Sequence, residues 1–240
     1  MNIVIINGTE QKGCTFAMKE MFVSALGDGH NIIEYYLPRD CPEFCTGCKA
    51  CFFRDISICP HSKYTVPIWD SILSADLLVF TSPTYVFHVT AQMKALLDHY
   101  GTKWMAHSPE KPMFSKQAVI ITNAIGQGMG KTASDIKDSL DFWGIARVYT
   151  IKQPLFQGVW ELVDEKRKNA INVKYLLIES YGLKSFRETD DGLYFEVGYT
   201  NQSYIIGWLL SFGDNVKVLE PTELAVEIQT KAKNIYSRYL

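Results

Sequence analysis

The sequence predicts an α/β protein: a doubly wound, five-stranded parallel sheet followed by a small C-terminal α+β appendage. Three observations support this prediction. Short apolar runs alternate with helical patterns over about the first 150 residues. The runs are apolar at consecutive positions, which is typical of strands buried on both faces of a parallel sheet. After a polar turn beyond residue 185, shorter predicted strands and helices follow in a different pattern from the first part of the chain.

Strands and helices alternate in the first part of the chain. The predicted strands are Asn2–Asn7, Ile32–Leu37, Asp76–Ser82, Gln117–Thr122 and Arg147–Ile151. The predicted helices are Thr15–Leu26, Ile68–Ser74, Ala91–Tyr100 and Thr132–Trp143, with Leu162–Glu179 as a closing helix. This alternation implies helices on both faces of the sheet.

A domain boundary is expected near residue 185, which gives domains of residues 1–185 and 186–240. The polar run Arg187–Gly192 predicts a linker or turn there. Beyond it we expect strands at Leu193–Val197 and Val216–Leu219, and helices at Ser203–Leu210 and Thr222–Tyr239. Thr222 is predicted to cap the last helix.

Composition narrows the classes of function. The chain has 24 Lys plus Arg and 26 Asp plus Glu, so its net charge of -2 argues against binding nucleic acid through bulk positive charge. Its longest apolar runs fall short of the ~20 residues that a membrane-spanning helix needs, so no membrane partner is expected. The N-terminus lacks the basic region of a signal peptide, and we expect a cytoplasmic protein. In that compartment six cysteines favour metal or redox roles over disulfides.

The loop after the first strand has the parts of a phosphate cradle. Gly8–Thr15 offers backbone amides, a helix N-terminus, hydroxyl groups and a lysine. The candidate ligand-binding residues are Thr9, Lys12, Gly13, Cys14 and Thr15. A polar turn that only caps the helix is the alternative.

Two further loops follow the third and fourth strands. Ser82–His88 places a proline and two aromatics directly after a strand, which suits the stacking of a planar ring, unless the aromatics simply pack on the core. Thr122–Gly130 has three glycines in five residues, which allow the backbone to approach a ligand closely. In an open α/β sheet, loops at the carboxyl ends of neighbouring strands converge on one edge.

The cysteines form a run with the spacing C-x2-C-x2-C-x7-C. Its members are Cys45, Cys48, Cys51 and Cys59. Thiolates at such spacing can bind a [4Fe–4S] cluster or a zinc ion. A loop of free thiols beside a substrate site is the third alternative.

Residues 1 to about 180 resemble the flavodoxin-like NAD(P)H-dependent FMN reductases, specifically their iron–sulfur flavoprotein-like branch. The first loop, the cysteine run, Ala75–Tyr85 and Met93–Asp98 carry the resemblance. It implies FMN with its phosphate on the first loop. It also implies flavin-ring contacts from Pro83, Thr84, Tyr85, Val86, Phe87, Asn123 and Gly126. The cysteine run would hold a cluster that exchanges electrons with FMN.

The resemblance also implies an activity and an assembly. The enzyme would take a hydride from NAD(P)H and pass electrons to a quinone, a nitro compound, a flavin or an iron–sulfur acceptor. The flavin carries this chemistry, so no catalytic side chain is expected. Members of the family are usually homodimers or homotetramers, and a small-molecule acceptor is the expected partner.

The tail resembles a different family, the C-terminal extension of WYL-domain transcriptional regulators. The residues that carry the resemblance are Ile206–Gly213, Val216–Pro221, Leu224 and Tyr239. It implies a module for assembly or ligand response. The alternative function is therefore a flavin- or thiol-based redox or ligand sensor whose tail mediates regulation or assembly.

Overall fold

The fold class predicted from the sequence is confirmed. The computed structural model describes residues 1–171, 187–189, 192–194, 202–210 and 216–238. Its main sheet is parallel, with strand order β2-β1-β3-β4-β5. The strands are β1 Asn2–Asn7, β2 Asn31–Tyr36, β3 Leu77–Pro83, β4 Gln117–Ala124 and β5 Arg147–Pro154. The order reverses beside β1, so β1 and β3 leave the sheet at the crevice where such folds bind ligands.

Helices cover both faces of this sheet because alternate strand residues point to opposite sides. Ile3 and Ile5 pack with α1 in one core, whereas Val4 and Ile6 belong to the core lined by α3, α4 and α5. The helices of this part are α1 Cys14–Leu26, α2 Ala50–Phe53, α3 Ser62–Ser74, α4 Ala91–His99, α5 Met129–Phe142 and α6 Glu165–Asn169.

Helix α3 begins six residues before the predicted start at Ile68. A proline inside a helix removes a hydrogen bond and clashes with the preceding turn, so Pro67 locally disfavours a helix that extends across it. The structure continues the helix through Pro67. Thr65 and Trp69 are buried on either side of it, so tertiary packing outweighs the local penalty.

The predicted closing helix is only partly described. A 3-10 turn covers Trp160–Leu162 and α6 covers Glu165–Asn169, while residues 172–179 of that prediction lie outside the described residues. The linker or turn predicted at Arg187–Gly192 falls partly outside the described residues, since residues 190–191 are not among them, and the described residues on either side of these two belong to an antiparallel strand pair. Its strands are β6 Arg187–Thr189 and β7 Gly192–Tyr194. Residues 195–197 of the strand predicted there lie outside the described residues.

The chain divides into two compact units, Met1–Glu196 and Val197–Leu240. The second unit contains α7 Gln202–Leu210 and α8 Thr222–Tyr236. The strand predicted at Val216–Leu219 is wrong, since these residues are irregular. Thr222 is also not the cap: it is the first helical residue, and Pro221 precedes it without a side-chain capping bond.

Candidate functional site

The loops after β1 and β3 are joined at Gly8. The Gly8 N–H donates to the Thr81 carbonyl at 2.7 Å, and the Thr90 hydroxyl donates to the Gly8 carbonyl at 2.6 Å. A Cβ at position 8 would lie 2.8 Å from the Thr81 carbonyl oxygen. Only glycine permits this approach to β3, and the Thr90 side chain completes the link between the segments after β1 and β3.

Asn123 joins the loop after β4 to both of the others. Its backbone carbonyl accepts the Thr84 N–H at 2.9 Å, and its side-chain oxygen accepts the Thr15 hydroxyl. Thr15 and Asn123 are buried. The structure therefore brings together residues that the sequence analysis placed on three separate loops.

The segment after β3 is a tight hairpin that displays apolar side chains. Tyr85 and His88 exchange backbone hydrogen bonds at 2.9 and 3.0 Å. Between them Val86 and Phe87 have φ values of 50° and 70°, in a region that costs side chains with a Cβ, β-branched ones most. Val86 is 89% exposed, and Tyr85 and Phe87 are about half exposed. Strain of this kind is often kept at ligand sites, and here it holds an apolar wall beside the strand ends.

Helix α5 fixes that hairpin from behind. The Asp135 carboxylate accepts the Val89 N–H at 3.2 Å and lies 3.0 Å from His88 Nδ1. A Cβ on Gly128 would lie 2.8 Å from Thr84 Cγ2 and 2.9 Å from Phe87 Cα. Sequence reasoning did not single out Asp135, because only the fold brings α5 behind the hairpin. It placed Gly128 in the glycine loop without seeing its contact.

The start of α1 fits an anionic group. Among the described residues the helix begins after Gly13 without a side-chain capping bond, so its first-turn amides have no capping side chain. A Cβ on Gly13 would meet no atom of the described residues within 4 Å, so they leave the space beside it open. Lys12 is exposed next to it, and Thr9 accepts the Gln11 N–H at 3.1 Å. A helix N-terminus beside a lysine is a favourable place for a phosphate.

Cys14 of the predicted phosphate loop turns toward the core. Its thiol is buried and lies 3.8 Å from the Gln157 carbonyl oxygen. Burial raises the pKa of the Cys14 thiol. The side chain therefore packs as a protonated thiol, and the backbone amide is the group it offers near the helix start.

An ion-paired cluster lies between α1 and β2. Lys19 is fully buried, and its ammonium group donates to Glu34 at 3.0 Å and to Glu20. Glu34 also accepts from the Tyr36 hydroxyl at 2.6 Å and from Asn7 at 3.1 Å. Burial by itself would raise the pKa of Glu34, but the hydrogen bonds from Tyr36 and Lys19 outweigh it and lower that pKa. Burial of the Tyr36 hydroxyl and its hydrogen bond to Glu34 raise the pKa of Tyr36.

The cysteine run lies in the connection from β2 to α3. Cys45 and Cys48 are exposed, and Cys51 and Cys59 are half-buried. Burial raises the pKa of Cys51, and the neighbouring charges of Cys59, Cys45 and Cys48 add to that effect. A cluster on the four thiols stays a prediction.

Two histidines that the sequence analysis missed lie beside Cys59. The ligand atoms of Cys59, His61 and His99 all lie within 4.8 Å of one another. Only the two-residue spacing from Cys59 to His61 is visible in the sequence. His99 is contributed by the end of α4, so the fold alone could place it there.

The fold and the three-loop site define a flavodoxin-like α/β protein, and solved structures share this fold. An FMN-dependent NADH-azoreductase from Bacillus anthracis, solved in complex with FMN, has a TM-score of 0.55 and 15% identity over 76% of this chain and 99% of its own. A flavone reductase has a TM-score of 0.57 and 12% identity over 100% of this chain and 91% of its own.

The family is established by the first part of the chain. Residues 1–157 match the NADPH-dependent FMN reductases, and the chain belongs to that family of NAD(P)H-dependent FMN oxidoreductases. Residues 165–236 match the WYL-associated WCX domain. A curated relative, an iron–sulfur flavoprotein from Archaeoglobus fulgidus, is 24% identical over 188 residues, which are 77% of this chain and 79% of the relative. Among the described residues, no helix is both long and apolar enough to cross a membrane.

Proposed function

We propose that the protein takes a hydride from NAD(P)H onto FMN and passes the electrons to a small-molecule acceptor. Candidate acceptors are a quinone, a nitro compound, a second flavin and an iron–sulfur centre. The observation that best supports this proposal is that hydrogen bonds connect the three loops. They place the apolar hairpin and the uncapped start of α1 at the same edge of the sheet. Family membership supplies the cofactor and the hydride donor.

The residues at this edge divide into two groups. For the phosphate end we propose the backbone amides at the start of α1, with the predicted residues Thr9, Lys12, Gly13, Cys14 and Thr15. The Thr15 hydroxyl already donates to Asn123, so Thr15 offers its N–H. For the ring we propose Pro83, Thr84, Tyr85, Val86 and Phe87 together with Asn123 and Gly126.

FMN, when bound, supplies the ring that accepts and releases the hydride. The protein's own residues would stack that ring and shield one side of it from water. The strained hairpin is suited to this task because its backbone hydrogen bonds and the Asp135 contacts hold Tyr85 and Phe87 in place before the ligand arrives. Preorganisation of this kind reduces the entropy lost on binding.

Adding NADPH without oxygen to the FMN-loaded protein is expected to bleach the flavin absorption.

Phe87→Ala is expected to weaken FMN binding about tenfold, because it removes a large part of the apolar wall. The measurement is FMN titration followed by anaerobic absorption spectroscopy.

The matched control is Phe156→Ala. Phe156 has the same exposure as Phe87 and also a positive φ, but its ring lies against Arg167. This variant should bind FMN like the parent protein. A spectrum that stays oxidised with NADPH would contradict the hydride transfer, and equal FMN affinities of the two variants would contradict the proposed ring site.

The WCX match supports a second function, a redox or ligand sensor that reports through its tail. Removing residues 197–240, the second compact unit, separates the two functions. If the protein is a plain reductase, the shortened chain should keep its FMN affinity and its NADPH oxidation rate within about twofold. If the protein is a sensor, the full-length chain should change its oligomeric state with ligand or redox state, and the shortened chain should not. Light scattering with oxidised and reduced protein would detect this difference.

We also propose a homodimer or homotetramer. Three phenylalanines in the connection from β2 to α3 are more than 60% exposed, namely Phe44, Phe52 and Phe53. Val86 is exposed on the hairpin. Apolar side chains exposed this fully on loops often mark a subunit interface.

A further inference from the structure

We propose that Cys59, His61 and His99 bind one metal ion with the ligand preferences of Zn²⁺, through a thiolate and two imidazole nitrogens. Their ligand atoms lie within 4.8 Å of one another, a separation that small side-chain rotations would close onto one ion. This site differs from the four-cysteine set, with which it shares only Cys59. It does not depend on the flavin or on the proposed activity.

The hydrogen bonding of His99 prepares one of its nitrogens as a ligand. His99 is 4% exposed, and its Nε2 lies 3.0 Å from the Glu43 carbonyl oxygen. A carbonyl can only accept, so Nε2 must carry the proton. In a neutral imidazole the lone pair is then on Nδ1, and His99 Nδ1 is buried without a hydrogen-bond partner among the described residues. Metal-bound histidines commonly donate their other N–H to a backbone carbonyl in this way.

His61 presents a second nitrogen of the same kind. Its Nδ1 is also buried, and no residue in the described part of the chain forms a hydrogen bond with it. The His61 and His99 rings meet edge to face, with centroids 5.3 Å apart and an interplanar angle of 89°. An unpaired buried polar atom is costly, and two of them side by side are uncommon in a folded protein. A metal ion would satisfy both at once.

Cys59 supplies the anionic ligand from the residue that ends a 3-10 turn, Ile56–Ile58. One residue separates it from His61, so both can coordinate an ion from one short loop. His99 supplies the third ligand from α4. One thiolate and two imidazoles suit zinc better than calcium or magnesium, which prefer oxygen. Three protein ligands leave a fourth position open for water or another ligand.

The bound ion would link the β2–α3 connection to the core helix α4. A [4Fe–4S] cluster would instead need the Cys59 thiolate to turn from the two imidazoles toward Cys45, Cys48 and Cys51. The two arrangements compete for one thiolate, so metal content decides between them.

The experiment uses the full-length protein, purified without chelator in zinc-containing buffer. After dialysis, metal and sulfide are measured on the same sample, and we expect about one zinc per chain without stoichiometric iron or sulfide. Replacing zinc with Co²⁺ should produce visible d–d bands of a tetrahedral site with a thiolate charge-transfer band in the near ultraviolet. His61→Gln should reduce Co²⁺ affinity at least tenfold, and Cys59→Ser should abolish the charge-transfer band.

Cys48→Ser is the matched control for Cys59→Ser, because Cys48 is an exposed thiol of the same run. It should keep the zinc and the cobalt spectrum. Circular dichroism of each variant checks the fold, and His61→Gln serves as the milder ligand change, since His61 is only half-buried. Four irons with sulfide that are lost in Cys48→Ser would overturn the proposal. So would a folded wild-type protein that retains no zinc and gives no cobalt spectrum.

Discussion

Replacing Gly128 with alanine is expected to weaken FMN binding at least tenfold and to lower the free energy of unfolding by about 2–4 kcal/mol. Gly128 has a φ of 100°, which a side chain with a Cβ adopts at a cost of about 1–2 kcal/mol. The new methyl group would also lie 2.8 Å from Thr84 Cγ2 and 2.9 Å from Phe87 Cα, and overpacking typically costs about 1–3 kcal/mol. Relief of these clashes would push the hairpin away from the ring site.

The matched control is Gly130→Ala, two residues along in α5. A Cβ there meets no atom of the described part of the chain within 4 Å, and alanine is preferred to glycine in a helix by about 1 kcal/mol. Chemical denaturation and FMN titration of the two variants measure both effects. If Gly128→Ala binds FMN as tightly as Gly130→Ala, the hairpin does not form the ring wall.

Replacing Lys19 with methionine is expected to lower the free energy of unfolding by about 2–3 kcal/mol at neutral pH. The change removes the buried cation that donates to Glu34 at 3.0 Å and leaves a half-buried carboxylate with fewer partners. Breaking a fully buried ion pair costs about 3–5 kcal/mol, and the partial exposure of Glu34 reduces that figure. Urea denaturation at pH 7 measures the loss.

The difference between parent and Lys19→Met should shrink in acid. The folded protein lowers the pKa of Glu34, so this carboxylate stabilises the fold above its unfolded pKa of about 4.3. That contribution is lost as pH falls through the lower folded pKa, where both proteins carry a protonated Glu34. Lys94→Met is the matched control: its pair with Asp98 is exposed and should contribute less than about 0.5 kcal/mol. A Lys19→Met deficit that is the same at pH 7 and at acid pH would contradict this account.

The three central strands β1, β3 and β4 could be predicted because they are buried on both faces. Runs such as Ile3–Ile6 and Leu77–Phe80 are apolar at every position, and that pattern needs no knowledge of the neighbours. Helix starts were less predictable: α3 runs through Pro67 because buried side chains on both sides outweigh a local penalty. In the tail, the residues Val216–Leu219 have strand-like composition, yet among the described residues they pair with no strand.

The candidate ligand loops were visible because each directly follows a predicted strand, and the topology of an α/β sheet makes such loops converge. Their mutual contacts were not visible. The hydrogen bond of Thr15 to Asn123 joins residues 108 positions apart, and the hydrogen bond of Val89 to Asp135 joins residues 46 positions apart. Such contacts depend on crossover geometry, which single residues do not encode.

Local pattern was thus enough for the fold class, the order of the strands along the chain and the loops that carry the proposed flavin site, since these depend on burial periodicity and on short stretches of sequence. Only the tertiary structure placed Gly128 against Phe87, buried Lys19 beside Glu34 and brought His99 to Cys59 and His61. The physical reason is that a packing contact or a metal site depends on distances between segments far apart in the chain, and those distances exist only once the sheet and helices have assembled.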